Sequence, residues 1–137
     1  YNLQIESLCK LIKKLIKEHN ILPENVLGHS DIAPFRKIDP GEKFPWYKLN
    51  KKRLSYSPTI NSDISGYETN NLNTKYQDVL FMLGSIGYDT RSVKVDDNKF
   101  KLLIQAYQRH HRQSKVSGDI DIETIKLIRQ HYKDMLT

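Results

Sequence analysis

All five prolines of this 137-residue chain fall at or before Pro58, at positions 23, 34, 40, 45 and 58. Proline fixes φ and removes a backbone donor, so it interrupts helices and central strands. The distribution divides the chain into a punctuated first part of short pieces and stiff loops, and a proline-free remainder in which helices can run on. Between them, Ser55 to Asn73 is rich in serine, threonine, asparagine and glycine with no sustained period. A linker over 55–72 and a domain boundary are expected there.

In the first part, Leu8, Leu11, Ile12, Leu15 and Ile16 recur at helical spacing, which predicts an amphipathic helix over 3–18 that ends before Asn20. Pro23 stops any continuation, and Val26-Leu27 reads as a short buried strand running into Gly28-His29. One strand cannot satisfy its own backbone groups, so residues 1–58 are expected to be the tail of an α/β domain whose other strands lie upstream of Tyr1. The run Phe44-Pro45-Trp46-Tyr47-Lys48-Leu49 can start a short helix with Pro45 in its first turn. Trp46 would be either a core plug or a wall of a substrate cleft. After the linker the period changes to three amphipathic helices. The first carries Tyr76, Val79, Leu80, Leu83 and Ile86 and is ended by Gly87; the second carries Phe100, Leu103, Ile104 and Tyr107, capped by Asp96 or Asp97. Ile122, Ile125, Leu127, Ile128 and Tyr132 mark the third, capped by Asp121 with Gly118 turning the chain before it. Roughly 65 residues in three such helices can close a small core.

Charge narrows the partners. Residues 1–58 hold eleven Lys and Arg against six Asp and Glu, an excess of five, whereas 59–137 hold eleven against ten, an excess of one. A basic half can meet nucleic acid, anionic lipid or an acidic wall polymer. Nucleic-acid binding by the helical part is disfavoured, because phosphate contacts need a surplus of Lys and Arg. Lys10, Lys13, Lys14 and Lys17, three and four apart, read as a solvated helix face. No apolar run reaches the roughly 18 residues of a membrane span. The lone Cys9, among Leu8, Leu11 and Ile12, reads as a small buried hydrophobe.

The chemistry concentrates in Gly28-His29-Ser30-Asp31-Ile32-Ala33-Pro34-Phe35-Arg36-Lys37-Ile38-Asp39-Pro40-Gly41. His29 and Asp39 are ligand types that suit zinc, and hydrolytic zinc takes three protein ligands while keeping a fourth position for water. An extended backbone from Lys37 to Asp39 would put both side chains on one face. The Lys37 ammonium could then stabilise an oxyanion. The plainer alternative is an ion-paired loop of His29, Asp31, Arg36, Lys37 and Asp39 in which Asp31 makes an Asx turn. Spacing does not choose between the two.

The run Val26 to Pro34, followed by Arg36-Lys37, Asp39-Pro40-Gly41 and Phe44-Pro45-Trp46, resembles the zinc-dependent N-acetylmuramoyl-L-alanine amidases of the type 2 family, which are related in fold to phage-lysozyme-type amidases and peptidoglycan recognition proteins. The resemblance covers residues 1–54. It implies that His29 and Asp39 are two of three zinc ligands and that Lys37 is the catalytic cation. It further implies a third ligand His and a general-base Glu upstream of Tyr1, His19 being a poor substitute at a helix end. Phe35 departs from the family, which commonly has glycine there, and is expected to alter the loop's backbone angles and narrow the cleft. Residues 72–134 resemble a three-helix peptidoglycan-binding module through Leu83-Gly84, Gly87-Tyr88, Ile104 to Arg109 and Gly118 to Asp121.

Together these imply an α/β amidase domain, represented over 1–54 by one long helix, one strand and an active-site loop, then an all-α module over 73–137. The implied activity is hydrolysis of the amide between N-acetylmuramic acid and L-alanine in peptidoglycan or muropeptides. The implied location is the periplasm of a bacterial cell envelope, with an outer-membrane anchor in a preceding segment. Two ligands are too few for a catalytic zinc, so residues 1–137 alone are expected to be inactive and to need the N-terminal part of the protein. The alternative is a non-catalytic wall-binding protein. His110 and His111 are expected to be solvated helix-end residues and not a second metal site.

Overall fold

A computed structural model of the chain describes residues 1–60, 72–94 and 98–137. Residues 61–71 of the expected linker, and the expected caps Asp96 and Asp97, lie outside these. The described elements are α1 (Asn2–His19), a 3-10 turn (Pro23–Asn25), α2 (His29–Ile32), α3 (Trp46–Lys51), α4 (Leu72–Ile86), α5 (Asn98–His111) and α6 (Ile122–Leu136). They form two compact units, residues 1–27 with 44–57, and residues 28–43 with 58–137.

The first unit is built on α1. Ile5 and Cys9 are buried on it, with Ile12 and Ile16 packed below them, while Lys10, Lys13, Lys14 and Lys17 are exposed as the spacing predicts. The inward face is rotated from the expected one, since Leu11 is 52% exposed and Leu15 37%. Asn20 ends the helix in a left-handed conformation at φ 52°, its amide and that of Ile21 both donating to the Ile16 carbonyl. Asparagine tolerates that geometry better than most residues. From α3, Trp46 and the fully buried Leu49 fill the core with Leu54. Trp46 is thus a core plug, its ring 4.8 Å from that of Phe44 in an edge-to-face contact.

The strand expected at Val26-Leu27 does not form, and no strand occurs among the described residues. Val26 is extended, at φ −90° and ψ 101°, but Leu27 is 46% exposed. Extended backbone becomes a strand only against a partner ladder, and none is described here.

In the second unit α4 packs on α6 and α2 on α5. Val79, Met82, Leu83, Tyr88, Phe100, Leu103, Ile104, Tyr107, Leu127 and Ile128 make one core. Gly87, at φ 126°, ends α4 by donating to Leu83, as does Tyr88. Asp121 caps α6 by accepting the Thr124 amide at 2.9 Å. The chain from 112 to 121 is ordered by the fully buried Gln108. Its Nε2 donates to the Asp119 carbonyl and to Thr124 Oγ1, and its Oε1 accepts the amides of Ser117 and Gly118. Arg112 adds a buried cation, donating to Asp121 at 2.6 Å and to the Lys115 carbonyl.

Candidate active site

Gly28 to Lys43 belongs to the second unit. Its first turn is α2, set by a carboxylate three positions into the helix, where Asp31 accepts the Gly28 amide at 2.8 Å. The Ser30 amide donates to the Asp39 carbonyl at 2.9 Å, so the two ends of the loop are pinned backbone to backbone. The amides of Arg36 and Lys37 both donate to the Ala33 carbonyl and close a turn between those ends.

His29 therefore opens a short helix and does not follow a strand as expected. Its Nδ1 lies 3.1 Å from Asp39 Oδ2, with the side chains 45% and 63% exposed. Two donors sharing a tetrahedral zinc at about 2.0–2.1 Å each would stand roughly 3.3 Å apart. The pair thus has the donor types and the separation that such an ion takes, and its exposure leaves room for further ligands. No group of three or more His, Cys, Asp or Glu placed to hold a metal occurs among the described residues. Lys37 lies at the end of the turn, half-buried.

Asp31 is not the surface acid of an ion-paired loop. Its side chain is 3% exposed, and besides Gly28 it accepts the His110 Nδ1–H at 2.7 Å and the Tyr88 hydroxyl at 2.6 Å. Burial alone would raise its pKa, but the bonds from His110, Tyr88 and Gly28 outweigh burial and hold the carboxyl below its ordinary value. Burial and the Asp31 charge push the Tyr88 phenol well up.

The expectation for His110 and His111 is corrected. His110 is 5% exposed and paired to Asp31, and His111 stacks on it at 4.0 Å with the rings 5° from parallel. The end of α5 is covered on that side by Asp31 and by His131 of α6, whose ring centre lies 5.0 Å from that of His111. The pKa of His111 is pushed well below its ordinary value, by burial first and then by its histidine neighbours.

Phe35 stands in the turn, half-buried. It takes no left-handed backbone, and its ring packs on the core of the second unit with Lys99 Nζ 5.3 Å from its centre. The larger side chain ties the loop down. Sequence reasoning missed the Asp31 partnership. The Gly28-x-x-Asp31 spacing is a local signal for the capping bond, but no local signal points to partners 57 and 79 positions away.

No family model matches the sequence. The chain is 34% identical over 124 residues to the N-acetylmuramoyl-L-alanine amidase AmiD of Escherichia coli, a match covering 88% of this chain and 44% of that protein. Among solved structures, that of E. coli AmiD in complex with the substrate anhydro-N-acetylmuramic acid-L-Ala-D-γ-Glu-L-Lys superposes with a TM-score of 0.79 at 31% identity, covering 96% of this chain and 51% of the other. That of AmpDh3 from Pseudomonas aeruginosa in complex with anhydromuramic pentapeptide gives 0.79 at 28% identity, with 96% and 52% covered. The chain spans about half the length of these proteins. It is homologous to the N-acetylmuramoyl-L-alanine amidases and shares their fold over the part of them that it spans.

Proposed function

We propose that this chain carries part of the active site of a zinc-dependent amidase that hydrolyses the bond between N-acetylmuramic acid and L-alanine in peptidoglycan or muropeptides during cell-wall turnover. The observation that carries this reading is the His29–Asp39 pair, 3.1 Å apart on a loop pinned at both ends. It gains support from relatives named as amidases, E. coli AmiD among them solved with an anhydromuramyl peptide, and from AmpDh3, solved with an anhydromuramic pentapeptide. The same names weigh against a purely wall-binding role.

In this reading His29 and Asp39 are two zinc ligands. Zinc held there would polarise the scissile carbonyl and make a bound water more acidic. Lys37 holds its ammonium toward the carbonyl oxygen and stabilises the charge that develops there. The third ligand and the general base come from the N-terminal part of the same protein, which also supplies the strands of an α/β domain. Residues 1–54 are then the C-terminal part of that domain, 55–72 a linker and 73–137 a three-helix wall-binding module. The 137 residues by themselves hold zinc weakly and leave muropeptides uncleaved. The site of action is the bacterial periplasm, with an outer-membrane anchor carried by the N-terminal part. No described helix is long and apolar enough to cross a membrane.

The test uses the complete protein with an anhydromuramyl tripeptide and separates released peptide from anhydro-sugar by chromatography. Lys37→Ala should keep zinc and lose about 100- to 1,000-fold in kcat, the scale of removing one oxyanion donor. Turnover within a few fold of wild type would remove Lys37 from that role. A complete protein without stoichiometric zinc and without cleavage would remove the amidase reading itself.

A further inference from the structure

The proposed ligands lie on a loop whose anchor is neither of them. Asp31 sits two residues after His29, and its buried carboxylate makes three short bonds. A carboxylate of this kind only accepts, so His110 Nδ1 must carry the hydrogen, and the tautomer of the buried imidazole is fixed by the contact. One of the three bonds sets the first turn of α2, which His29 opens. The other two reach out of the loop, to Tyr88 just beyond α4 and to His110 in the last turn of α5. From α2 the Ser30 amide passes the placement on to the Asp39 backbone. Hydrogen bonds joined by the short backbone of α2 thus lead from α5 through Asp31 to both residues of the pair.

Phe35 reinforces the path, since its ring packs on the core that contains Tyr88 and Phe100. Tyr88 and His110 belong to the segment whose sequence resembles a wall-binding module, and nothing in that resemblance requires a buried bond to the loop.

We infer that His110 and Tyr88 are positioning residues for the His29–Asp39 pair, so that the three-helix segment is part of the scaffold of the reaction centre in addition to any grip on the wall. The inference rests on the amidase reading for its consequence in catalysis, and on the hydrogen bonds alone for its consequence in the loop. Removing the His110 donor leaves a buried carboxylate short of a partner, and Asp31 must then move toward water and take α2 with it. His29 and Asp39 lose their mutual placement while the rest of the fold persists.

The experiment compares His110→Ala, His110→Asn and Ile128→Ala in the complete protein with wild type. Asparagine offers an N–H near the position of Nδ1. Ile128 is fully buried in the same core but has no part in the Asp31 network, so its truncation controls for lost stability alone. Zinc affinity is read by chelator competition, kcat and KM on an anhydromuramyl peptide, retention on insoluble sacculi by pull-down, and amide hydrogen exchange at Ser30, Asp31 and Ala33 by NMR. His110→Ala should weaken zinc binding or lower kcat on the order of 10- to 100-fold, as removal of a group that orients a metal ligand does. It should also speed exchange at the three amides and leave sacculus retention unchanged. His110→Asn should recover most of the loss, and Ile128→Ala should move none of these readouts at a temperature where it is folded.

Unchanged zinc affinity, kcat and exchange in a folded His110→Ala would overturn the inference. So would an equal loss in Ile128→Ala. A wild-type protein without zinc or hydrolysis would sink the amidase reading only, because exchange at Ser30 and Ala33 still decides whether His110 holds the loop.

Discussion

The Tyr88 hydroxyl donates to Asp31 Oδ1 at 2.6 Å, between two side chains 57 positions apart in sequence and both buried. The bond joins Tyr88, two residues beyond the end of α4, to the loop that carries His29 and Asp39. Tyr88→Phe keeps the ring and its contact with Tyr107, 5.8 Å between centres, and deletes only the donor. A buried charged acceptor that loses one partner costs roughly 1–3 kcal/mol. Urea unfolding should show a lower midpoint with an unchanged slope. A variant as stable as wild type would mean that water replaces the phenol at no cost.

Gln108 offers a sharper case, since all of its amide's partners are accounted for. Gln108→Leu preserves most of the volume and strands the amides of Ser117 and Gly118, the Asp119 carbonyl and the Thr124 hydroxyl. With two or more groups left without a bond, the loss should be about 3 kcal/mol or more. Gln130→Leu removes an exposed bond to Asp134 one helical turn away and should stay within about 0.5 kcal/mol. Equal effects in the two variants would show that the 112–121 loop re-forms without its hub.

Local signals in the sequence carried the helices well. The turn at Gly118, the cap at Asp121, the stop at Gly87 and the solvated lysines of α1 each follow from a residue and its near neighbours. What the sequence could not show was long-range partnership. The inward face of α1 is expected at Leu8, Leu11, Ile12, Leu15 and Ile16; Ile12 and Ile16 do pack on Trp46 and Leu49, but the face is rotated so that Ile5 and Cys9 are buried and Leu11 and Leu15 exposed. Val26-Leu27 has the composition of a strand, yet strand formation depends on a ladder partner. His110 and His111 look like a wet helix end because their chain neighbours are polar, yet His110 is buried against Asp31 and His111 is half-buried against His131, which no spacing rule connects to them. At the candidate site, the closeness of His29 and Asp39 followed from the motif's resemblance to a family, whereas the buried role of Asp31 between them did not.

Gly118 turns the chain at φ 78°, where a side chain is strained. A Cβ there would also stand 2.5 Å from Lys101 Cγ, 3.0 Å from Gln105 Cγ and 3.1 Å from the Lys101 carbonyl oxygen. The lysine tail can move aside, but the carbonyl of α5 cannot without disturbing the helix. Gly118→Ala should therefore lose more than the roughly 1 kcal/mol of backbone strain alone. It should also weaken the Gly118 amide bond to Gln108, visible as faster exchange of that amide. A cost of 1 kcal/mol or less would show that the loop shifts away from α5 freely.

His131 couples the fold to pH. It is 6% exposed and shares a hydrogen bond with the Tyr107 hydroxyl at 3.2 Å. Burial, reinforced by His110, lowers its pKa from 6.5 to about 4, against a smaller opposing pull from Asp134 and Asp31. The folded chain therefore resists protonation that the unfolded chain accepts. Between pH 6.5 and about 4 the unfolded state binds more protons, so stability is full above 6.5, falls as pH drops through that window and levels below it. The contribution is roughly 3 kcal/mol, at about 1.36 kcal/mol for each unit of difference. His111, shifted in the same direction, adds to the slope. Unfolding free energies measured from pH 7.5 to 4 should fall accordingly. His131→Gln should flatten the curve across this range while lowering its plateau near pH 7 through the altered bond to Tyr107. A wild-type curve that is level from pH 6.5 to 5 would show that His131 reaches solvent when it takes up its proton.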